Sequence, residues 1–219
     1  MSRLLVIVMV LAVLAMTGIA SADVTVNGAS FFPAMGYMNV SQGGTYLWGS
    51  GWGIPDLRES GAAGNLLLQT NVNCTNPSDA YWWPRGAKTM EALGYTETYG
   101  LKGQNVTFDF VVGSNNLAGA LDGAGNPIVT EAFIKVLDGF GTWATTQQIY
   151  EPLTVGAHSM TLFNVDPALA NPDVQIGFRV ISGNDASGSD TADLGALIIP
   201  EPATMALLGL GGLLLRRRK

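Results

Sequence analysis

Five aromatic residues fall in two short clusters, Trp48-Gly49-Ser50-Gly51-Trp52 and Tyr81-Trp82-Trp83. Flat aromatic faces stack on pyranose rings, and nearby amides and carboxylates bond the hydroxyls. Asn73, Asn76 and Asp79 stand close in sequence to the second cluster. Trp48, Trp52, Tyr81, Trp82 and Trp83 are therefore candidate ligand-binding residues, with a carbohydrate as the ligand they fit. Aromatic clusters more commonly fill cores, and Trp48 with Trp52 also fits a cover over the end of one.

A second group of residues suits a metal. Between Asn184 and Asp193 the chain carries Asp185, Asp190 and Asp193 among Ser187, Ser189 and Thr191. Hard oxygen ligands in one loop are what Ca²⁺ prefers, so these three aspartates are candidate ligands for a structural Ca²⁺. The stretch departs from the EF-hand register, lacking its final Glu, and a solvated turn between the last two strands is the competing reading.

Catalysis finds less support. There is no Gly-x-Ser-x-Gly elbow, no His-Glu-x-x-His, no phosphate-binding Gly-x-x-x-x-Gly-Lys and no dinucleotide fingerprint after a strand. His158 is the only histidine and Cys74 the only cysteine. Strand parity puts His158 beside Met160 and Leu162, at the edge of a core. Cys74 permits no internal disulfide and reads as a small buried side chain. A non-catalytic protein is expected, although only spatial separation identifies a pair of carboxylates for glycoside cleavage.

The elements that would position these residues are strands. Val106, Phe108, Phe110 and Val112 alternate with Thr107 and Asp109, and Val174, Ile176, Phe178 and Val180 alternate with Gln175 and Arg179. Residues 130–138 put Ala132, Ile134 and Val136 opposite Glu131, Phe133, Lys135 and Leu137, so both faces are expected to be partly covered. Further strands are expected over 23–27, 36–40, 45–48, 65–72, 158–163 and 194–199, with Tyr81-Trp82-Trp83 extended and its rings on both faces. Residues 166–172 permit one helical turn at most, because prolines bound them. Nine or ten short strands separated by Gly/Asn/Asp/Pro turns predict an all-β chain folded as a single β-sandwich, jelly-roll-like.

Both ends read as targeting elements. Arg3, the apolar run Leu4 to Ala15 and Ala20-Ser21-Ala22 form a signal peptide over residues 1–22, cut after Ala22 by signal peptidase. The expected body is 23–198. From Asp23 to Ile199 the chain holds 16 acidic residues and six basic ones, a net charge near −10. That balance argues against nucleic acid, which needs a basic patch, and suits divalent cations or neutral sugars. Residues 199–219 form the tail. Ala203 to Leu215 is 13 residues without a charge, as a helix about 20 Å long against a hydrocarbon core of about 30 Å. Pro200 and Pro202 stop it extending backwards, and Arg216, Arg217, Arg218 and Lys219 hold its end on the cytoplasmic side. A short apolar helix, inserted transiently rather than held as an anchor, is expected here.

Pro200-Glu201-Pro202, the Gly/Leu-rich apolar segment and the terminal arginines together resemble the PEP-CTERM sorting tail of Gram-negative bacteria that make extracellular polysaccharide. The resemblance implies an exosortase, a membrane-embedded cysteine transpeptidase-like enzyme, as sorting partner, and a place in the cell envelope, at the surface or in the extracellular matrix after transient inner-membrane tethering. Residues 132–136, 174–180 and 193–198 look like late strands of carbohydrate-binding-module jelly rolls of the galactose-binding-like type, which makes Asp193 the implied calcium ligand. Residues 36–40 and 48–53 are similar to segments of uncharacterised PEP-CTERM ectodomains. The expectation is an exported, non-catalytic protein associated with exopolysaccharide. A self-associating surface protein and a polysaccharide-active enzyme are the rival readings.

Overall fold

A computed structural model describes residues 23–28, 31–62, 65–70, 78–84, 86–122, 125–139, 141–184 and 197–200. Among them lie thirteen strands: β1 (Val24–Asn27), β2 (Met35–Gln42), β3 (Thr45–Gly51), β4 (Glu59–Ala62), β5 (Asn65–Leu68), β6 (Thr89–Tyr99), β7 (Val106–Val112), β8 (Ser114–Asn115), β9 (Val129–Asp138), β10 (Thr145–Pro152), β11 (Gly156–Leu162), β12 (Pro172–Gly183) and β13 (Leu197–Pro200). One 3₁₀ turn, Ile54–Leu57, is the only helical element of the described residues. No helix among them is long and apolar enough to cross a membrane.

The strands form two facing layers. One is a six-stranded antiparallel sheet in the order β10-β9-β12-β6-β2-β3. The other consists of β1-β7-β11 and β4-β5-β13-β8, which meet where β13 lies beside β7. Between the layers Phe108 and Phe110 of β7 meet Phe178 of β12 and Phe31, with ring centroids 5.0 to 5.4 Å apart. Burying each such side chain is worth about 1.5–3 kcal/mol. The alternation in β7 and β12 therefore decides which faces pair, since shifting either strand by one residue would turn its apolar side outward. This is an all-β sandwich. β1 pairs with β7 in parallel, which differs from a strictly antiparallel jelly roll.

Several boundaries differ from those the sequence pattern predicts. β3 continues through Gly49, Ser50 and Gly51, because pairing with β2 outweighs the entropic cost of the glycines. β5 stops at Leu68. Tyr81-Trp82-Trp83 is a turn rather than an extended segment, held by bonds to Asp79: Trp83 N–H donates to its carbonyl at 2.9 Å and Tyr81 N–H to its Oδ1 at 3.0 Å. β6, second in length only to β12, is absent from the strands that hydrophobic alternation predicts. Gly94 interrupts it and both its faces are covered, so Ala92 and Leu93, which point opposite ways, are equally buried. β13 runs through Ile199 to Pro200, two residues beyond the expected body.

Candidate functional site

The outer face of the six-stranded sheet carries a groove. Side chains alternate across a strand, so the inner row of β12 (Val174, Ile176, Phe178) leaves Asp173, Gln175, Gly177 and Arg179 outside. Register then sets their neighbours: Gln175 stands between Glu97 and Lys135, Gly177 between Tyr95 and Phe133, and Arg179 between Leu93 and Glu131. On β2, Tyr37 lies opposite Leu93 and Asn39 opposite Glu91. The result is a cavity of about 620 Å³ bounded by Tyr37, Asn39, Tyr95, Glu97, Lys135, Trp143 and Gln175, together with a few apolar neighbours. A second cavity of about 400 Å³ shares Asn39 and continues past Tyr46, Glu91 and Arg179.

The floor is a small apolar cluster, Leu93, Tyr95 and Phe133, with Tyr37 and Tyr150 packed against it. Gly177 is needed there, because a Cβ would collide with the Gly94 carbonyl and with Tyr95. Polar groups are held from below. Asn39 Nδ2 donates to Glu91 Oε2 at 2.9 Å, and Gln175 Nε2 donates to Glu97 Oε1 at 2.8 Å, which fixes both amides and keeps their carbonyl oxygens as acceptors. Arg179 donates to Glu91 and to Glu131, each at 2.5 Å, while its guanidinium carbon sits 3.7 Å from the centre of the Tyr150 ring.

Charges in the groove are tuned by burial. Lys135 is held below its ordinary value, chiefly by burial. Tyr95 is pushed up to about 12 by burial and then by Glu97 and Asp173. Asp173, buried two residues before Gln175 on β12, is raised to about 7, first by burial and then by the Glu97 charge.

Trp143 stands at the rim, 57% exposed. Its φ is 55°, the left-handed region that a bulky side chain seldom occupies. The turn fixes it: Trp143 N–H donates to the Asp138 carbonyl and Asp138 N–H to the Ala144 carbonyl, both at 3.1 Å. Backbone held this way at a rim points to a positioned side chain.

The aromatic residues singled out by sequence lie elsewhere. Trp48 and Trp52 stack with centroids 6.4 Å apart, Trp82 meets Trp48 edge-on at 6.1 Å, and Tyr81 meets Trp82 edge-on at 4.9 Å. Trp48 Nε1 donates to the Tyr81 hydroxyl. Trp48, Trp52 and Trp82 are half-buried and cover Met38, Val40, Leu57, Met90 and Ala92, the cover over a core end that the sequence allowed. Tyr81 and Trp83 are exposed, and Lys88 Nζ lies 4.1 Å from the centre of the Tyr81 ring.

His158 stacks on its cross-strand partner Phe110 at 4.9 Å and bonds Glu151 and the Thr154 carbonyl. The expected calcium ligands Asp185, Asp190 and Asp193 lie outside the described residues, as do Cys74, Asn73, Asn76, the expected signal peptide and the helix expected in the tail. No group of three or more His, Cys, Asp or Glu side chains among the described residues is arranged to hold a metal. The groove escapes a sequence reading because β6 supplies Glu91, Leu93, Tyr95 and Glu97. Their every-second-residue spacing, ending at Tyr99, is the signal that would find them.

The family model of the PEP-CTERM protein-sorting motif matches residues 199–219. The tail is a PEP-CTERM sorting motif. It covers Pro200, Glu201, Pro202, Arg216, Arg217 and Arg218, and marks an exported protein that an exosortase sorts to the cell envelope. No curated protein and no solved structure matches the chain.

Proposed function

We propose that the PEP-CTERM chain is a non-catalytic, polysaccharide-binding protein of the cell envelope, with the groove on the outer face of the six-stranded sheet as its binding site. The observation that carries this reading is the groove itself: tyrosines and an exposed tryptophan beside fixed amide and carboxylate groups, in about 620 Å³. The second cavity, joined at Asn39, suits a chain rather than a single sugar. The sorting tail agrees with an exopolysaccharide partner, with signal peptidase acting at the other end and transient inner-membrane tethering in a Gram-negative cell.

A hydrolase would need two carboxyls separated by about 5–9 Å with the glycosidic bond between them. Among the described residues Glu97 is the one carboxylate that lines the larger cavity, which favours binding over cleavage. Affinity gel electrophoresis in a panel of soluble polysaccharides tests the proposal. Retardation in at least one gel, lost with Trp143→Ala and kept with Trp83→Ala, is expected. No retardation anywhere, or the reverse pattern of the two variants, overturns the groove as the site.

A further inference from the structure

The sorting motif and the fold share residues. The matched segment begins at Ile199, and Ile199 is 2% exposed, packed into the main core with Leu66 and Leu68 of β5. β13 is an interior strand of its sheet, paired with β5 on one side and β8 on the other. No linker separates the last core residue from Pro200.

We propose that this chain is cut only on the C-terminal side of Pro200, so that the processed body keeps all of β13 together with the first proline of its sorting motif. The inference rests on exosortase sorting of the tail and adds where the cut falls relative to the fold. A peptide bond is cleaved in extended, accessible chain, whereas residues 197–200 lie in a strand paired with β5 along its whole length and with β8 at Leu197 and Ile198. Reaching a bond there means pulling β13 from between its neighbours, which uncovers Leu66 and Leu68 and leaves two raw strand edges. Losing Ile199 with the tail would have the same cost permanently.

Pro200 also sets the far limit of the ladder. It pairs with Asn65 as the last residue of β13, and lacking an N–H it donates nothing to extend the pairing. Pro202 repeats the block two residues on. Pro200 thus closes the pairing of β13 as well as opening the Pro-Glu-Pro motif. At the cut the amide C–N bond breaks, the carbonyl carbon bonds to the oxygen of water or the nitrogen of an acceptor amine, and the tail leaves with an amine that has taken up the proton this nucleophile loses.

Mass mapping of the full chain recovered from the envelope of cells that contain an exosortase tests this. The C-terminal peptide is expected to include both Ile199 and Pro200. A C-terminus at Ile199 or earlier overturns the position of the cut while leaving sorting intact. Chains still ending at Lys219 overturn both. In the same cells Ile199→Val should be processed at the wild-type bond. Ile199→Asp, which puts a charge in the core, should lose the protease-resistant body and the single product mass. If Ile199→Asp instead yields the wild-type product in full amount and equally resistant, the fold does not limit the cut and the inference fails.

Discussion

Glu59 of β4 presses its carboxyl against Gly94 of β6 inside the sandwich, where a Cβ on Gly94 would overlap it. Among the described residues neither oxygen of Glu59 has a hydrogen-bond partner. Burial raises its pKa to about 8 from the ordinary 4.5. The folded chain then keeps a proton that the unfolded chain releases, so stability should fall as pH rises from about 4.5 and level off above about 8. The loss attributable to this carboxyl is on the order of 5 kcal/mol. Urea unfolding at pH 5 and pH 9 should show a smaller pH difference for Glu59→Gln than for wild type. Equal differences would mean that Glu59 does not titrate in the interior.

Arg179 bridges Glu91 and Glu131 and lies over Tyr150. Removing it leaves two partly buried carboxylates without their shared cation. Arg179→Ala should cost about 2–3 kcal/mol in chemical unfolding, more than Glu131→Ala, which leaves the Glu91 pair in place. Arg179→Lys should recover only part of the loss, since an ammonium cannot fork to two carboxylates and stack on a ring together. Full recovery by lysine would show that charge alone matters there.

Trp143 offers a separation of stability from binding. Its positive φ strains any side chain but suits glycine, and its ring is exposed. Trp143→Gly should leave the melting temperature unchanged or slightly raised, with relief of about 1 kcal/mol or less, while polysaccharide affinity falls about tenfold. A variant that binds as wild type would remove Trp143 from the site.

Much of the sandwich was legible in the chain. β7, β9 and β12 announce themselves because one face is continuously apolar, and the tail is readable because Pro-Glu-Pro, the apolar run and the arginines are local in sequence. β6 was not, since Met90, Ala92 and Gly94 line one side and Leu93 and Tyr95 are buried on the other, which erases the period. The groove went with it: its walls come from five strands, and only their register brings Tyr37, Tyr95 and Gln175 together. The tryptophans, conspicuous in sequence, owe their grouping to a turn that caps Met38 and Met90.

Those tryptophans can be sorted by what truncation costs. Trp82 packs on the Met38 cluster and its carbonyl accepts from the Asn184 side chain, whereas Trp83 is 41% exposed. A cover over a core loses about 3 kcal/mol or more when its indole is removed, and an exposed ring loses about 0.5 kcal/mol or less. Trp82→Ala should therefore lower the unfolding midpoint markedly and Trp83→Ala hardly at all, with polysaccharide retardation unchanged in Trp83→Ala. If the two truncations cost the same in urea, the half-buried indoles are not holding the end of the core, and the cluster would have to be reconsidered as a ligand platform. The distinction is sharp because Trp82 and Trp83 are adjacent in the chain and differ only in which way the turn at Asp79 sends their side chains.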